Sequence, residues 1–578
     1  MNQAFSSQSV RELIDQQARL NPKQPFLFLP ETQELVDFEQ LQKQVRAVAS
    51  ELETRGVAKG SSVAYAMSND GSCVAVLLGI MYGGYRAVAI NLVAGRDVIA
   101  YVLAHSQTQL VFVQASHTSL IEEALGCETF TSEADESAPA TTAQVANDDS
   151  LCEKPVTCIV DLSIIKHWAE LCAAAGDKPG ISKSFEYSVT AKSDALLMYT
   201  SGTTGRPKGV TLSHGNLIAG GLNVALGHQL TAKDKALCVL PLYHINGLCV
   251  TVMGPLVTGG SLVLPTRFST SAFWSLVDRY QCTWFSVVPT QIAYLLRDAG
   301  RSQEHSSAEE SSDSLMGETN CDETEVLPTA AGQGVQHDST STGATRAWLR
   351  FGRSASAPLS PDVHRAFEKR FGVPLIETMG LTETAAQILS NPLPPAQRKH
   401  GSPGVPIGDD VIIVDKQLKS VAAGVEGELL VRGDNVMQRY FRNEAASSDA
   451  LIDGGWFRTG DLGRKDEDGY VFISGRLKEL IIKGGENIAP REIDDALYQH
   501  SDVVEAAAFA CPCEDFGQRV EAAVTLKVDS TLSESELLHT CVQRVGKFKS
   551  PDRIHILAEL PKGPSGKIQR ARIRELLA

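Results

Sequence analysis

The chain has 578 residues, more than one hydrophobic core normally supports, so at least two domains are expected. Its 43% hydrophobic and 21% charged residues are ordinary for a globular protein. A formal net charge of -16 argues against a nucleic-acid partner, because phosphate backbones are held by basic patches.

At the N-terminus, MNQAFSSQSVRELIDQQARLNP lacks the basic start and apolar stretch of a signal peptide. It reads as an amphipathic helix, capped by Ser9 with Glu12 three residues on and stopped before Pro22. The run VAVLLGIMYGGYRAVAI is the most apolar, but glycines and Arg86 interrupt it. A buried helix followed by a strand is expected there, not a membrane span. Strand-like and helix-like segments then alternate, the pattern of parallel α/β sheets. ALLMYT, GVTLS and SLVLP read as strands, and NLIAGGLNVALG and SAFWSLVDRY as helices. Two low-complexity segments, about 129–149 and 303–345, break the alternation. The second is strongly acidic and poor in aromatics, and reads as a disordered surface insertion rather than a docking loop. From Gly475 the texture changes to a charged turn, a short strand, a glycine-rich turn and a helix begun by Pro490. The apolar strands AAAFAC and EAAVTLKV follow. This small α+β unit places a domain boundary near Ser474, dividing the chain into 1–474 and 475–578. The twelve cysteines are scattered. Cys511 and Cys513 form the nearest pair, and reduced thiols of a cytosolic protein explain them better than a disulfide or a zinc site.

One stretch asks for chemistry. YTSGTTGRPKGV, Tyr199 to Val210, sets a polar, glycine-rich loop directly after an apolar strand. It suggests phosphate but is not a Walker loop: Gly202 and Gly205 stand too close, and Gly209 follows Lys208. Further motifs come in a fixed order: LCVLPLYHINGL, FGRSASAPLS, IETMGLTETAA, GELLVRGDNVMQRYF, WFRTGDLG, SGRLKELIIKGGENIAPREI and LPKGPSGKIQR. With these motifs the chain resembles the adenylate-forming superfamily: acyl- and aryl-CoA synthetases, firefly luciferases and peptide-synthetase adenylation domains. The likeness spans nearly the whole chain apart from the two low-complexity segments. It implies an α/β fold: a large N-terminal domain of doubly wound α/β subdomains plus a small β-rich part, and a small mobile α+β C-terminal domain.

The resemblance also implies a reaction. A carboxylate attacks the α-phosphorus of ATP, pyrophosphate leaves, and a thiol then displaces AMP from the acyl-adenylate. Two negatively charged reactants must meet, so cations and donors aimed at the developing charge are needed. By resemblance, Thr200, Ser201, Gly202, Thr203, Thr204, Gly205 and Lys208 form the loop that holds the β- and γ-phosphates. Thr382 and Glu383 contact the α-phosphate and magnesium, a hard cation that prefers carboxylate oxygen. Ser354, Ala355, Ser356, Ala357 and Pro358 form the adenine strip, next to Met379 and Gly380. Asp461 accepts the ribose hydroxyls and Arg476 reaches the ribose or phosphates. His244 gates the entrance for the carboxylate, and Trp284, Val288 and Pro289 line the acyl pocket. Lys567 bridges the substrate carboxylate and the α-phosphate during adenylation. Lys478 is the hinge about which the small domain rotates, withdrawing Lys567 and bringing Gly484 and Gly485 to the pantetheine tunnel.

The family usually has an aromatic residue where this chain has Met379, so the contact with adenine departs from the pattern. Tyr243-His244-Ile245-Asn246 carries no aspartate to pair with an amino group, which speaks against an α-amino acid. The expected partners are a small-molecule carboxylic acid, ATP, Mg2+ and coenzyme A, with no nucleic acid and no membrane span, in the cytoplasm. Three readings stay open on the residues alone: an acid–CoA ligase, a ligase that passes its adenylate to an external acyl-carrier protein, and a non-catalytic scaffold.

Overall fold

The computed structural model describes residues 8–126, 156–159, 187–200, 207–299, 346–563 and 568–577. The loop residues Ser201, Gly202, Thr203, Thr204 and Gly205, as well as Lys567 and both low-complexity segments, lie outside the described residues.

The first helix, Val10–Leu20, begins at a full capping box between Ser9 and Glu12 and buries Val10, Leu13 and Ile14. The apolar run is the helix Gly71–Tyr82, buried at every residue, followed by the strand Arg86–Ala89. Among the described residues no helix is long and apolar enough to cross a membrane. ALLMYT and GVTLS pair antiparallel as Asp194–Thr200 and Lys208–Ser213, with Thr200 opposite Lys208. The phosphate-type loop therefore lies, in sequence, between two strands that pair antiparallel.

These elements belong to two wound sheets. In the first, of seven strands, the strands from Asp194–Thr200 through Arg86–Ala89, Ser62–Ala66 and Thr108–Val113 to Val156–Ile159 run parallel. In the second, of nine strands, the parallel part runs from Leu375–Leu381 through Phe351–Ser354, Trp284–Val287, Lys235–Cys238 and Ser261–Val263 to Pro25–Leu29. Strands buried on both faces need continuous apolar sequence, which ALLMYT and SLVLP supply. A five-stranded, largely antiparallel sheet follows, built on Asp410–Val414, Gly427–Arg432 and Trp456–Lys465. Its last strand, Val471–Arg476, carries the chain past Ser474 before it turns into the C-terminal sheet.

That last sheet has five strands and its own apolar core, including Ile481, Ile493, Leu497, Val520, Val524 and Leu537. The helix Pro490–Leu497 has its proline in the first turn, where the missing N–H costs nothing. Cys73, Cys238, Cys249, Cys282, Cys511, Cys513 and Cys541 are free thiols. The whole is the mixed α/β architecture that the resemblance implied, with the small α+β unit at the C-terminal end.

Candidate active site

Several of the expected phosphate-side residues are joined by one that the motifs did not single out. Tyr440, on the short strand Arg439–Tyr440, pairs with the hairpin strand that begins at Lys208. The Tyr440 hydroxyl donates to a Glu383 carboxylate oxygen at 2.9 Å. The Lys208 ammonium lies over the Tyr440 ring, 4.8 Å from its centroid. Burial, and after it the Glu383 charge, pushes the Tyr440 hydroxyl far above its ordinary range. It therefore stays a donor at every physiological pH.

Glu383 lies in a single 3-10 turn, Thr382–Thr384, at the end of the strand Leu375–Leu381. The turn is forced sharply back: Ala385 has φ 43° and Ala386 has φ 89°, both in the left-handed region. Non-glycine residues held there are strained, and such strain clusters at functional sites. Side chains hold the turn in place. The Thr384 hydroxyl donates to the Ala386 carbonyl at 3.0 Å, and Asn435 Nδ2 donates to the Thr384 carbonyl at 2.8 Å. Gly380 is a steric necessity, since a Cβ there would sit 1.6 Å from the Ala386 carbonyl oxygen.

Asp461 and Arg476 are cross-strand partners at the end of the β-rich sheet. Arg476 Nε donates to an Asp461 oxygen at 2.8 Å, and Asp461 is only 3% exposed. Asp461 above all, and also Glu479 and Glu383, raise the Arg476 guanidinium above its ordinary value. Lys208, Tyr440, Glu383, Arg476 and Asp461 thus form one chain of facing charges and donors, drawn from separate strands.

The other expected residues fall around this seam. Ser354 ends a buried strand, and Ser356, with φ 73°, accepts a hydrogen bond from Asn246 at 3.0 Å. Ala355 is buried and Pro358 is exposed. Met379 packs, half-buried, against the apolar cluster of Ile388, Leu389, Val431 and Val471. His244 follows the strand Lys235–Cys238 and lies against the Tyr243 ring, with centroids 4.8 Å apart. The next segment, Asn246–Met253, is a π-helix, an uncommon form found mostly at functional sites. Nothing in its apolar sequence announced it. Trp284 is fully buried and stacks on Phe351, while Val288 and Pro289 are half-buried at the end of that strand.

Lys478 sits in the turn Leu477–Glu479, directly after Arg476. Gly484 and Gly485, at φ 59° and 87°, close the hairpin between Ile481–Lys483 and Glu486–Ile488. On either side of the Lys567 segment, Lys562 bridges Ile568, and Gln569 N–H donates to the Pro561 carbonyl at 2.8 Å.

The comparisons agree with this architecture. The sequence model of the AMP-binding enzyme family matches residues 14–441, and that of the AMP-binding enzyme C-terminal domain matches 492–567. A sulfoacetate–CoA ligase of Cupriavidus necator is 40% identical over 97% of this chain and 96% of its own. An oxalate–CoA ligase of Arabidopsis thaliana is 30% identical over 91% of this chain and 90% of its own. The structure of o-succinylbenzoate coenzyme A synthetase from Bacillus subtilis, in complex with ATP and magnesium ion, aligns with a TM-score of 0.74. That alignment has 25% identity and covers 98% of this chain and 100% of the other.

Proposed function

The chain belongs to the AMP-binding enzyme family, and on that premise we propose how its residues divide the work of an acid–CoA ligase. The activity itself follows from the family and the relatives: ATP-dependent activation of a carboxylic acid as acyl-AMP, release of pyrophosphate, and transfer of the acyl group to CoA. ATP, Mg2+ and CoA are its cofactor and cosubstrates.

The observation that carries the division of labour is the seam around Tyr440. Lys208, with the preceding loop from Thr200 to Gly205, takes the β- and γ-phosphates. Thr382 and Glu383 face the α-phosphate, and Asp461 with Arg476 holds the ribose. Glu383 suits Mg2+ by its chemistry: a half-buried carboxylate, held in place through one oxygen by a neutral hydroxyl. When bound, the metal neutralises phosphate charge. The chain's own part is to fix that carboxylate and to aim Lys208 and Arg476 at the phosphates before the acid arrives. The strip Ser354–Pro358 with Met379 and Gly380 borders adenine, and His244 borders the acid's path. Lys567 bridges the carboxylate and α-phosphate. Lys478 is the hinge that exchanges it for Gly484 and Gly485 once the adenylate has formed. The separate core of the last sheet supports such a rotation about a division between 1–474 and 475–578.

Sulfoacetate and oxalate, named for the two relatives, are short acids with two acidic groups. We infer an acid of that class here, CoA rather than a carrier protein as acceptor, and the cytoplasm as the compartment. Free thiols fit a reducing compartment. Pyrophosphate exchange into ATP, with magnesium and a panel of short acids, tests the reading, followed by CoA-dependent thioester formation. Exchange with two-acid substrates and a CoA thioester are expected. Adenylation without a thioester until a carrier protein is added would overturn the choice of acceptor.

A further inference from the structure

Among the described residues, a buried cation stands without a carboxylate partner. Arg353 stands in the strand Phe351–Ser354 and is only 2% exposed. Its Nη1 donates to Asn246 Oδ1 at 2.7 Å and to Ser286 Oγ at 3.0 Å, and its Nε donates to Gln387 Oε1 at 3.3 Å. All three acceptors are neutral. Among the described residues no carboxylate pairs with Arg353, and the one titratable group acting on its charge is the Cys249 thiol. Burial pushes that thiol up to about 12, so it stays protonated. His228, buried against Phe351 and held neutral by burial, brings no anion either. Burial draws the Arg353 guanidinium down to about 9, which leaves it cationic at neutral pH. A cation taken out of water with only amides and a hydroxyl around it is costly to fold, and a protein keeps such a group where something else supplies the anion.

Its place says what that is. Ser286 and Arg353 are paired across neighbouring parallel strands, one residue short of where both strands end. Asn246 begins the π-helix just after His244, and its Nδ2 donates to Ser356. The guanidinium therefore lies where the carboxyl ends of two parallel strands meet the His244 loop, the end of such sheets at which ligands bind. Gln387 comes from the strand that follows the Glu383 turn, so the cluster also touches the reactive side.

We propose that Arg353 is the counter-ion for a second acidic group on the substrate, so that this chain selects short acids bearing a carboxylate or sulfonate besides the carboxylate that reacts. The inference rests on the ligase reading above and assigns its selectivity to one residue. With Nη1 and Nε already donating to Asn246, Ser286 and Gln387, which fix the plane of the guanidinium, its Nη2 hydrogens are left to donate to a carboxylate or sulfonate oxygen. A monoacid of the same size would leave the cation buried and unpaired.

The test compares kcat/KM for pyrophosphate exchange with malonate, oxalate and sulfoacetate against acetate and propionate, in the wild type and in Arg353→Met. The wild type is expected to prefer the two-acid substrates, and R353M to lose that preference by ~10²-fold or more. A preference that survives in folded R353M overturns the role of Arg353 and leaves the substrate class standing. A wild type that ignores all three two-acid substrates but adenylates monoacids overturns the substrate class and this inference with it. R353M strips donors from Asn246, Ser286 and Gln387, so a melting curve accompanies it. Arg353→Lys is the second variant, keeping the charge but not the planar set of donors. It is expected to retain the preference with the malonate KM raised ~10-fold; unchanged KM and kcat in R353K would also overturn the proposal.

Discussion

The seam around Tyr440 and the surroundings of Arg353 handle charge in opposite ways. In the seam every named ionic group already has company: Lys208 lies over Tyr440, Glu383 accepts from Tyr440, and Arg476 pairs with Asp461. Arg353, by contrast, meets only amides and a hydroxyl. On the proposed roles, the difference follows from what each region receives. A nucleotide brings several charges and hydroxyls at once, so the seam can hold its groups in mutual pairs and exchange partners when the nucleotide enters. A small acid brings one extra charge, and a lone cation reads its presence or absence. Paired charges pre-organise; an unpaired one selects.

If that contrast is right, breaking the seam should harm every substrate equally. The largest effect is expected from Glu383→Gln, which keeps the acceptor for Tyr440 but removes the charge offered to magnesium. Adenylation should fall by ~10²–10³-fold with all acids, the scale of losing one electrostatic stabiliser of the transition state. A loss confined to two-acid substrates would merge the two regions and break the comparison. Exchange kinetics across the acid panel, at rising magnesium, decide it.

Lys567→Ala sharpens the contrast in time rather than in space. It should lower adenylation by ~10²-fold while sparing thioester formation from preformed acyl-AMP, since the proposed role of the lysine is confined to the first half-reaction. Rates measured for each half-reaction separately would show this. Equal damage to both would argue against a rotation that withdraws Lys567.

Tyr440→Phe should cost less, ~10-fold in adenylation, the worth of one hydrogen bond to a charged group. The loss should appear mainly as a higher magnesium requirement, since the ring under Lys208 remains. A magnesium dependence left unchanged would remove Tyr440 from the seam.

Much of the fold was legible. The alternating segments, the capped first helix and the strands around the glycine-rich loop follow from periodicity and local signals, which act over neighbouring residues. The site was legible only where motifs carry it. Lys208, Glu383, Asp461 and Arg476 stand in recognisable phrases, but Tyr440 lies in QRYF, where an aromatic reads as filler for a strand. Its role comes from a pairing between Val210 and Tyr440, far apart in sequence. Arg353 was hidden differently. Within GRSASAP an arginine reads as a surface charge, and only the register of two buried strands puts it inside. The π-helix after His244 left no mark because its residues are apolar on every side.

Asp409 offers the finest test of the contrast, because it is a carboxylate held, like Arg353, by neutral partners. It is half-buried, and its Oδ2 accepts from Asn435 Nδ2 at 2.9 Å and from Asn223 Nδ2 at 3.1 Å, again neutral partners. Asn435 also holds the Thr384 carbonyl, so Asp409 stands behind the Glu383 turn. A carboxylate in such a place has an escape that a guanidinium lacks: it can take up a proton. Burial raises its pKa from 3.8 to about 7, with the Asn435 and Asn223 donors opposing the shift. Between those two values the folded chain holds a proton that the unfolded chain has released. The stability contribution is therefore fully present at low pH and is lost as pH rises through about 7. The full loss would be on the order of 4 kcal/mol, set by the gap between the two pKa values. Asp409→Asn cannot titrate, and its amide oxygen can still accept from Asn435 and Asn223. Urea midpoints measured from pH 5 to pH 8 should fall less steeply in D409N than in the wild type, with adenylation at neutral pH little changed. Parallel slopes would mean that Asp409 is already ionised and compensated in the folded chain. Arg353 would then no longer stand apart as the buried charge that waits for a ligand.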